Sequence, residues 1–419
     1  MLWVWDWGEK ERGGGEKTQS WHRATMPKDN PTTHGMEPAV PEGGVSKLSE
    51  TELKTVLAWR EQERGKEMPV VTLDAEDTVE EALKKLAQHK IQSAPVLVGP
   101  ESVPPRDRMV GFADVTSILG AFIEYRSRVR TVSTAAEWPN PGGRPVDPIQ
   151  QLRELQESHV TQDFAQTSLK NAISTDGSVV YSAEMNVDLY TILRDGFLDG
   201  NRDNSAVQHR LAVFDEQGDI VSVLSQSDVV KFLFHNASGT LRDWLKESVT
   251  TLDVGLDRGY VYSIPENVLV LDAFAYMVRH HVSGLPVVQA TTGKILGNLS
   301  ASDVRLLKPE FFGVLALPVI EFLTLLHPAS DKNGDVCSSS AGATHPFFSL
   351  EQRKWVQSSP HIPLVTCRPT DALEDVVSKL VCHRMHRVYV VDDQSAPVGC
   401  ITLTDVLRLL VQKEAVPAF

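Results

Sequence analysis

Near its C-terminal end the chain reads HRVYVVDDQSAPVGCITLTDVLRLLV, from His386 to Val411, and the layout of this stretch returns three more times. GDIVSVLSQSDVVKFLF (218–234), GKILGNLSASDVRLLK (293–308) and, more weakly, MVGFADVTSILGAFI (109–123) also run from a turn through a short apolar strand into an apolar periodic segment. The upstream halves repeat as well. DTVEEALKKLAQHKIQSAPVLV (77–98), NVDLYTILRDGF with QHRLAVFDE (186–197 and 208–216), NVLVLDAFAYMVRHHVSGLPVV (267–288) and DALEDVVSKLVCHRMHRVYVVDD (371–393) each place a helical period before a strand rich in β-branched residues. Internal repetition constrains the fold more than any other property, because each copy must be the same supersecondary unit. Each unit is therefore helix, strand, turn, strand, helix, preceded by a short strand such as PVVTL (69–73) or PLVTC (363–367).

One such sheet cannot cover its own apolar face, so two units must pack sheet to sheet or helix to helix. Four copies predict an α/β protein of two paired modules, roughly 60–238 and 250–414. The expected division is a disordered arm (1–48), repeats at 60–125, 169–238, 250–312 and 359–414, a connector at 126–168, and a helix with an exposed linker at 313–358. WPNPGGRPVDP (138–148) and HPASDKNGDVCSSSAGATHPF (327–347) break regular structure through their Pro, Gly and polar content. GVLALPVIEFLTLL (313–326) is too short for a membrane span and contains Pro318 and Glu321, which predicts a buried or docking helix.

The chain's 419 residues and 42% hydrophobic content allow more than one core. A net charge of −14 argues against a broad nucleic-acid surface while leaving local basic pockets open. The four cysteines lack paired CxxC spacing, and Cys382 with His386 has no second ligand cluster, so no metal site is expected. The opening MLWVWDWGEK is a poor signal peptide, which makes cytoplasmic residence, with the nucleus also open, the expectation. No GxSxG, HExxH or glycine-rich phosphate loop is present, so recognition without catalysis is expected.

The recurring polar residues carry two readings. Ser225 before Asp228, Ser300 before Asp303 and Thr402 before Asp405 stand at strand-to-helix junctions, where both members of each pair can cap a helix. The same carboxylates, facing a crevice, can accept both hydroxyl protons of a ribose while the Ser or Thr meets sugar or phosphate. His209 with Arg210, and His386 with Arg387, open the corresponding strands of units two and four, and suit a phosphate. Ser283 and Gly284 hold that place in unit three, Ser93 and Ala94 in unit one. These small residues admit either ligand approach or ordinary close packing. Unit one also places Gly111 before Asp114 where the others have Ser or Thr before Asp, which puts its ribose side in question.

QHRLAVFDE with VLSQSDVVKFL, HVSGLPVV with GNLSASDV, and MHRVYVVDD with GCITLTDVLRLL resemble proteins with four cystathionine β-synthase-type (CBS) repeats. Over roughly 60–414 the resemblance is to the regulatory gamma subunits of AMP-activated and SNF1-related protein kinases, including plant-like divergent members. It implies two tandem Bateman modules in a pseudo-fourfold disk with AMP, ADP or ATP as regulatory ligands. By the same resemblance Asp228, Asp303 and Asp405 are ribose contacts, Ser225, Ser300 and Thr402 their hydroxyl neighbours, and His209, Arg210, His386 and Arg387 phosphate contacts. The implied partners are a catalytic alpha-like and a scaffold beta-like subunit, without nucleic acid or membrane insertion. A regulator of another enzyme or transporter, and an adaptor with inactive pockets, stay open beside it.

Overall fold

The β-branched runs of each repeat form three-stranded sheets, and the order is the same in all four. Unit one has β1 (Leu73–Asp74), β2 (Ser93–Leu97) and β3 (Met109–Asp114), and unit two has β4 (Ser182–Glu184), β5 (Arg210–Phe214) and β6 (Ile220–Ser225). Unit three has β7 (Ile264–Pro265), β8 (Gly284–Val288) and β9 (Ile295–Ser300), and unit four β10 (Thr366–Cys367), β11 (Arg387–Val391) and β12 (Pro397–Thr402). The middle strand pairs parallel with the first and antiparallel with the third, and a bulge interrupts the antiparallel ladder near the end of each middle strand. In the computed structural model, residues 43–65, 69–89, 91–129, 160–172, 182–184, 186–198, 208–256, 259–306, 314–326 and 364–415 are described. The Pro/Gly connector at 138–148, the loop at 327–347 and most of the expected arm lie outside them.

The helices include, in chain order, α1 (Leu53–Arg64), α2 (Val79–His89), α3 (Val115–Val129), α4 (Gln226–Asn236), α5 (Val270–Arg279), α6 (Val319–Leu326), α7 (Leu373–Cys382) and α8 (Leu403–Ala415). Unit two replaces its first helix by one short turn, Leu189–Thr191, that widens into a π-helical turn over Ile192–Leu198, and unit three has a 3-10 helix, Ala301–Leu306, after its third strand. Val45 and Leu48 fall inside the arm expected to be disordered, yet both are buried. They can pack because Val45 bridges Ala237, and because the Glu414 carboxylate accepts from the Leu48 and Ser49 amides at 2.7 and 2.9 Å. Within the apolar 313–326 stretch a buried helix forms over Val319–Leu326, with Val319, Phe322 and Leu326 sealed from solvent.

Both modes of pairing occur, between different partners. The sheets of units one and two meet through Leu97, Met109, Ala212 and Phe214, and those of units three and four through Ile295, Tyr389 and Val391. The helices pair otherwise. One large core joins unit one to unit three, around Leu86, Phe122, Phe274 and Phe322, and the other joins unit two to unit four, around Phe197, Phe232, Val377 and Leu407. Each unit is thus closed on one side by one neighbour and on the other by a second, as a small sheet with helices on one face requires.

The segments leading into each unit are exchanged. Leu53 at the start of α1 donates its amide to Val187 O, and Leu189 in unit two donates back to Thr51 O. The same reciprocal pair recurs between Val79 and Thr167 with Leu169 and Asp77, between Val249 and Asp371 with Leu373 and Glu247, and between Val270 and Leu317 with Val319 and Val268. Helix α1, before unit one, therefore docks on unit two, and the short helices before unit two, Val160–Ala165 and Leu169–Ala172, dock on unit one. Units three and four trade theirs in the same way. These bonds satisfy amides that a helix start otherwise leaves without a partner. The arrangement is four similar strand and helix modules, consistent with tandem pairs.

Because units one and three share a core, damage to one should spread to the other. Phe274→Ala, at a fully buried site, is expected to cost about 3–5 kcal/mol. Hydrogen exchange should then accelerate in α3 of unit one as well as in α5, with α4 and α8 less affected, and exchange confined to unit three would contradict the shared core.

Candidate functional site

Strand register answers why a cation opens a strand and an acidic helix start follows its partner. Arg387, first in β11, is opposite Thr402, last in β12, and Arg210 is likewise opposite Ser225. Gly284 faces Ser300 and Ser93 faces Asp114 in the same register. In every unit the strand entrance and the helix N-cap therefore stand side by side at one edge of the sheet. Residues far apart in the chain become neighbours there.

The caps themselves are built. Asp228 Oδ2 accepts from the Ser225 amide at 3.0 Å and hydroxyl at 2.7 Å, and the Asp228 amide donates back to Ser225 Oγ at 3.2 Å. Thr402 and Asp405 repeat this at 2.9, 2.6 and 3.2 Å. In unit three the Ser300 amide donates to Asp303 Oδ2 at 2.8 Å while the Ser300 hydroxyl pairs with Ser302. One carboxylate oxygen is thus committed to the helix start, leaving Oδ1 as the oxygen directed elsewhere. For Asp405 that oxygen lies 3.5 Å from Arg408 of the same helix, and for Asp228 it accepts from Arg64 at 2.9 Å.

Unit one inverts the pattern and corrects the alignment drawn from sequence. Asp114 does not correspond to Asp228, because its partner across the ladder is Ser93, so it occupies the place of Ser225. Ser117 stands where the other units have Asp. Asp114 Oδ1 accepts from the Ser117 amide at 2.7 Å, and Ser117 Oγ accepts from the Asp114 amide at 3.0 Å. The box keeps its geometry with donor and acceptor side chains exchanged. Gly111 lies farther back, paired with Val96.

The cations cross between units. Arg387 of unit four, 9% exposed, donates from Nη2 to Ser283 Oγ of unit three at 2.6 Å. A Cβ on Gly284 would overlap the Arg387 guanidinium and come 3.1 Å from Leu299 O, so glycine here makes room for an arginine from the next unit. Arg210 of unit two approaches unit one in the same sense, with Nη2 3.4 Å from Gln92 Oε1. The small entrances of units one and three are thus the seats for the arginines of units two and four. Gln226 of unit two accepts from Thr404 Oγ1 of unit four at 2.9 Å, with both side chains buried, which ties two helix starts together.

His209 and His386 keep solvent-exposed positions beside their arginines. Protein nevertheless crowds His209, and desolvation pushes its imidazole below the ordinary value, with Asp114 opposing and Arg210 and Arg387 adding to the depression. Groups from units one, two and four therefore act on one imidazole. Desolvation likewise lowers Arg210, against the attraction of Asp114 and Asp228. His280 is stacked instead on the rings of Tyr262 and Tyr276, at centroid distances of 4.5 and 4.2 Å.

Sequence reasoning missed Arg60, Arg64, Gln92, Gln226 and Ser117. The two arginines left a signal in WREQER, where they stand four apart on one helix face. Arg60 donates to Val223 O at 2.7 Å, to Ser222 Oγ and to Asp228 Oδ2 at 3.3 Å. Among the described residues no group of three or more His, Cys, Asp or Glu is placed to hold a metal, and no helix is long and apolar enough to cross a membrane.

Residues 66–124, 256–309 and 359–412 match the model of the CBS domain. CBS repeats are matched in three of the four units, over less than half of the chain. Over part of its length the chain is distantly related, at low identity, to the gamma subunits of AMP-activated and SNF1-related kinases. An SNF1-related protein kinase regulatory subunit gamma-1-like protein of Arabidopsis thaliana is 33% identical over 205 residues, covering 46% of this chain and 39% of the relative. The 5'-AMP-activated protein kinase subunit gamma-3 of Homo sapiens is 23% identical over 270 residues, covering 64% of this chain and 46% of the relative. The chain thus spans less than half the length of either. Among solved structures, a protein of Methanocaldococcus jannaschii is 15% identical with a TM-score of 0.49, covering 82% of this chain and 96% of that one. CBS modules are regulatory and non-catalytic, in keeping with a sequence that carries no catalytic motif.

Two tests address this geometry. Gly284→Ala should evict Arg387 and lower stability by about 1–3 kcal/mol, and in a double-mutant cycle Arg387→Ala should relieve part of that loss. Additive losses in thermal unfolding would separate the two residues. For His209, the unfolded chain takes up its proton before the folded one. The folded state is therefore favoured above about pH 6.5 and loses that contribution as pH falls toward the depressed folded value. His209→Gln is expected to flatten the drop in melting temperature of the ligand-free protein between roughly pH 7 and pH 5.

Proposed function

We propose that the chain is a non-catalytic regulatory subunit that binds adenine nucleotides and couples AMP, ADP or ATP occupancy to a protein kinase of the SNF1/AMP-activated type. The observation that carries the reading is the register of unit four, which sets Arg387 opposite Thr402, three residues before Asp405. A cationic fork next to a hydroxyl and a carboxylate is the donor and acceptor set that a phosphorylated ribose needs. In this reading His209, Arg210, His386 and Arg387 meet phosphate, Asp303 and Asp405 with Ser300 and Thr402 meet ribose, and Ser283 and Gly284 line the approach. The kinship with gamma subunits supports the partner class, a catalytic alpha-like and a scaffold beta-like chain, and a cytoplasmic and nuclear setting.

Sensing requires more than binding. The nucleotide must favour one assembly state over another, since equal affinity for both shifts nothing. Residues from different units converge on the strand entrances, so one bound nucleotide touches several units and changes how they pack. A second reading, an adenylate-responsive regulator of another enzyme or a transporter with some pockets inactive, is favoured by the inverted cap of unit one, where Ser117 replaces the carboxylate.

Calorimetry with AMP, ADP and ATP on the folded chain should show binding. Asp405→Ala should weaken it about 10- to 100-fold, as expected for losing hydrogen bonds to a charged group. No binding by the folded parent would overturn the nucleotide reading. Purification under native conditions, followed by identification of copurifying chains, separates the two partner classes. A chain that retains adenylates without a kinase would favour the second.

A further inference from the structure

Helix α1 precedes unit one in the chain but belongs to unit two in space. Its apolar face, Leu53, Val56 and Leu57, enters the core of units two and four, and Trp59 meets Phe232 edge-on at 5.5 Å. The next turn carries Arg60 and Arg64 onto the helix start of unit two. Arg60 is 7% exposed and reaches Val223 O, Ser222 Oγ and Asp228 Oδ2, while Arg64 Nη2 donates to Asp228 Oδ1 at 2.9 Å. Since Oδ2 also takes the amide and hydroxyl of Ser225, both carboxylate oxygens are engaged.

A ribose reaching this carboxylate must displace the arginines. Both arginines would lose their hydrogen bonds to the carboxylate, and Arg60 would do so in the protein interior, where an unmade bond of a charged group is costly. Burial already depresses the Arg60 guanidinium, and the Asp228 charge opposes that depression. In unit four the corresponding Asp405 Oδ1 lies 3.5 Å from Arg408, a half-exposed residue of its own helix, and no buried arginine of a lead-in helix donates to it among the described hydrogen bonds.

We propose that Asp228 is internally liganded: Arg60 and Arg64 of α1 take the place that a ribose takes elsewhere, so unit two binds its exchanged lead-in helix instead of a nucleotide. The inference rests on the nucleotide reading for what is excluded, whereas the clasp itself stands on the contacts of α1.

The test uses the full chain and two readouts, nucleotide bound per chain by equilibrium dialysis with AMP and ATP, and amide exchange over residues 53–64. Asp228→Asn is expected to leave nucleotide stoichiometry unchanged and affinity within about 2-fold, while exchange in α1 accelerates about 10-fold, the scale of losing one charge-assisted contact. Asp405→Asn should do the reverse. Arg64→Gln, at the half-exposed edge of the clasp, should accelerate exchange less and is expected to fold normally. Loss of one bound nucleotide in Asp228→Asn, or unchanged α1 exchange in both Asp228→Asn and Arg64→Gln, would overturn the proposal. Should the parent bind no nucleotide, the function proposed above fails, and the exchange of α1 still decides the clasp.

Discussion

A three-stranded sheet with helices on one side cannot exclude water from both its faces, and the rest of this structure depends on how that requirement is met. Each unit buries its sheet against one neighbour and its helices against another, so the two large cores run across the boundary between modules. The exchanged lead-in helices add a third link, held by reciprocal backbone bonds at the helix starts. No single unit has a core of its own to fall back on.

This interlocking places chemistry as well as mass. Because a unit's neighbour stands against its sheet edge, an arginine at the start of one strand can extend over the start of the next. Arg387 does so at Ser283 and Gly284, and Arg210 at Gln92. A side chain at Gly284 would close that route. The strand-entrance cluster is consequently a composite, and His209 responds to Asp114 and Arg387 from two other units. Such an arrangement couples the units electrostatically, since a charge in one acts on the titratable groups of the others.

The four repeats share one sheet order and are unequal in chemistry. Unit one inverts its cap, unit two has both Asp228 oxygens engaged by its own structure, and units three and four keep Asp303 and Asp405 at the corresponding place. Capping occupies one oxygen of these carboxylates, Oδ2 in Asp228, Asp303 and Asp405 alike. Where a second cation intervenes, as at Asp228, the structural demand takes both.

The repeats, the helix–strand–turn–strand–helix order and the Ser/Thr-x-x-Asp caps were legible in the chain, because periodicity and capping are decided within a few residues. The match of His209–Arg210 with His386–Arg387 was legible for the same reason. The exchange of lead-in helices was not, since LSETELKTVL and LKESVTTLDV look like connectors until their amides find partners more than 100 residues away. Nor was the register that sets Asp114 at the place of Ser225, because a three-residue slip preserves an acidic residue near the junction. The arginine clasp lay in plain view as WREQER, but its target is fixed by which unit α1 packs against. Local backbone preference thus set the elements, and tertiary packing chose their partners, because contacts between charges depend on distances that no local pattern encodes.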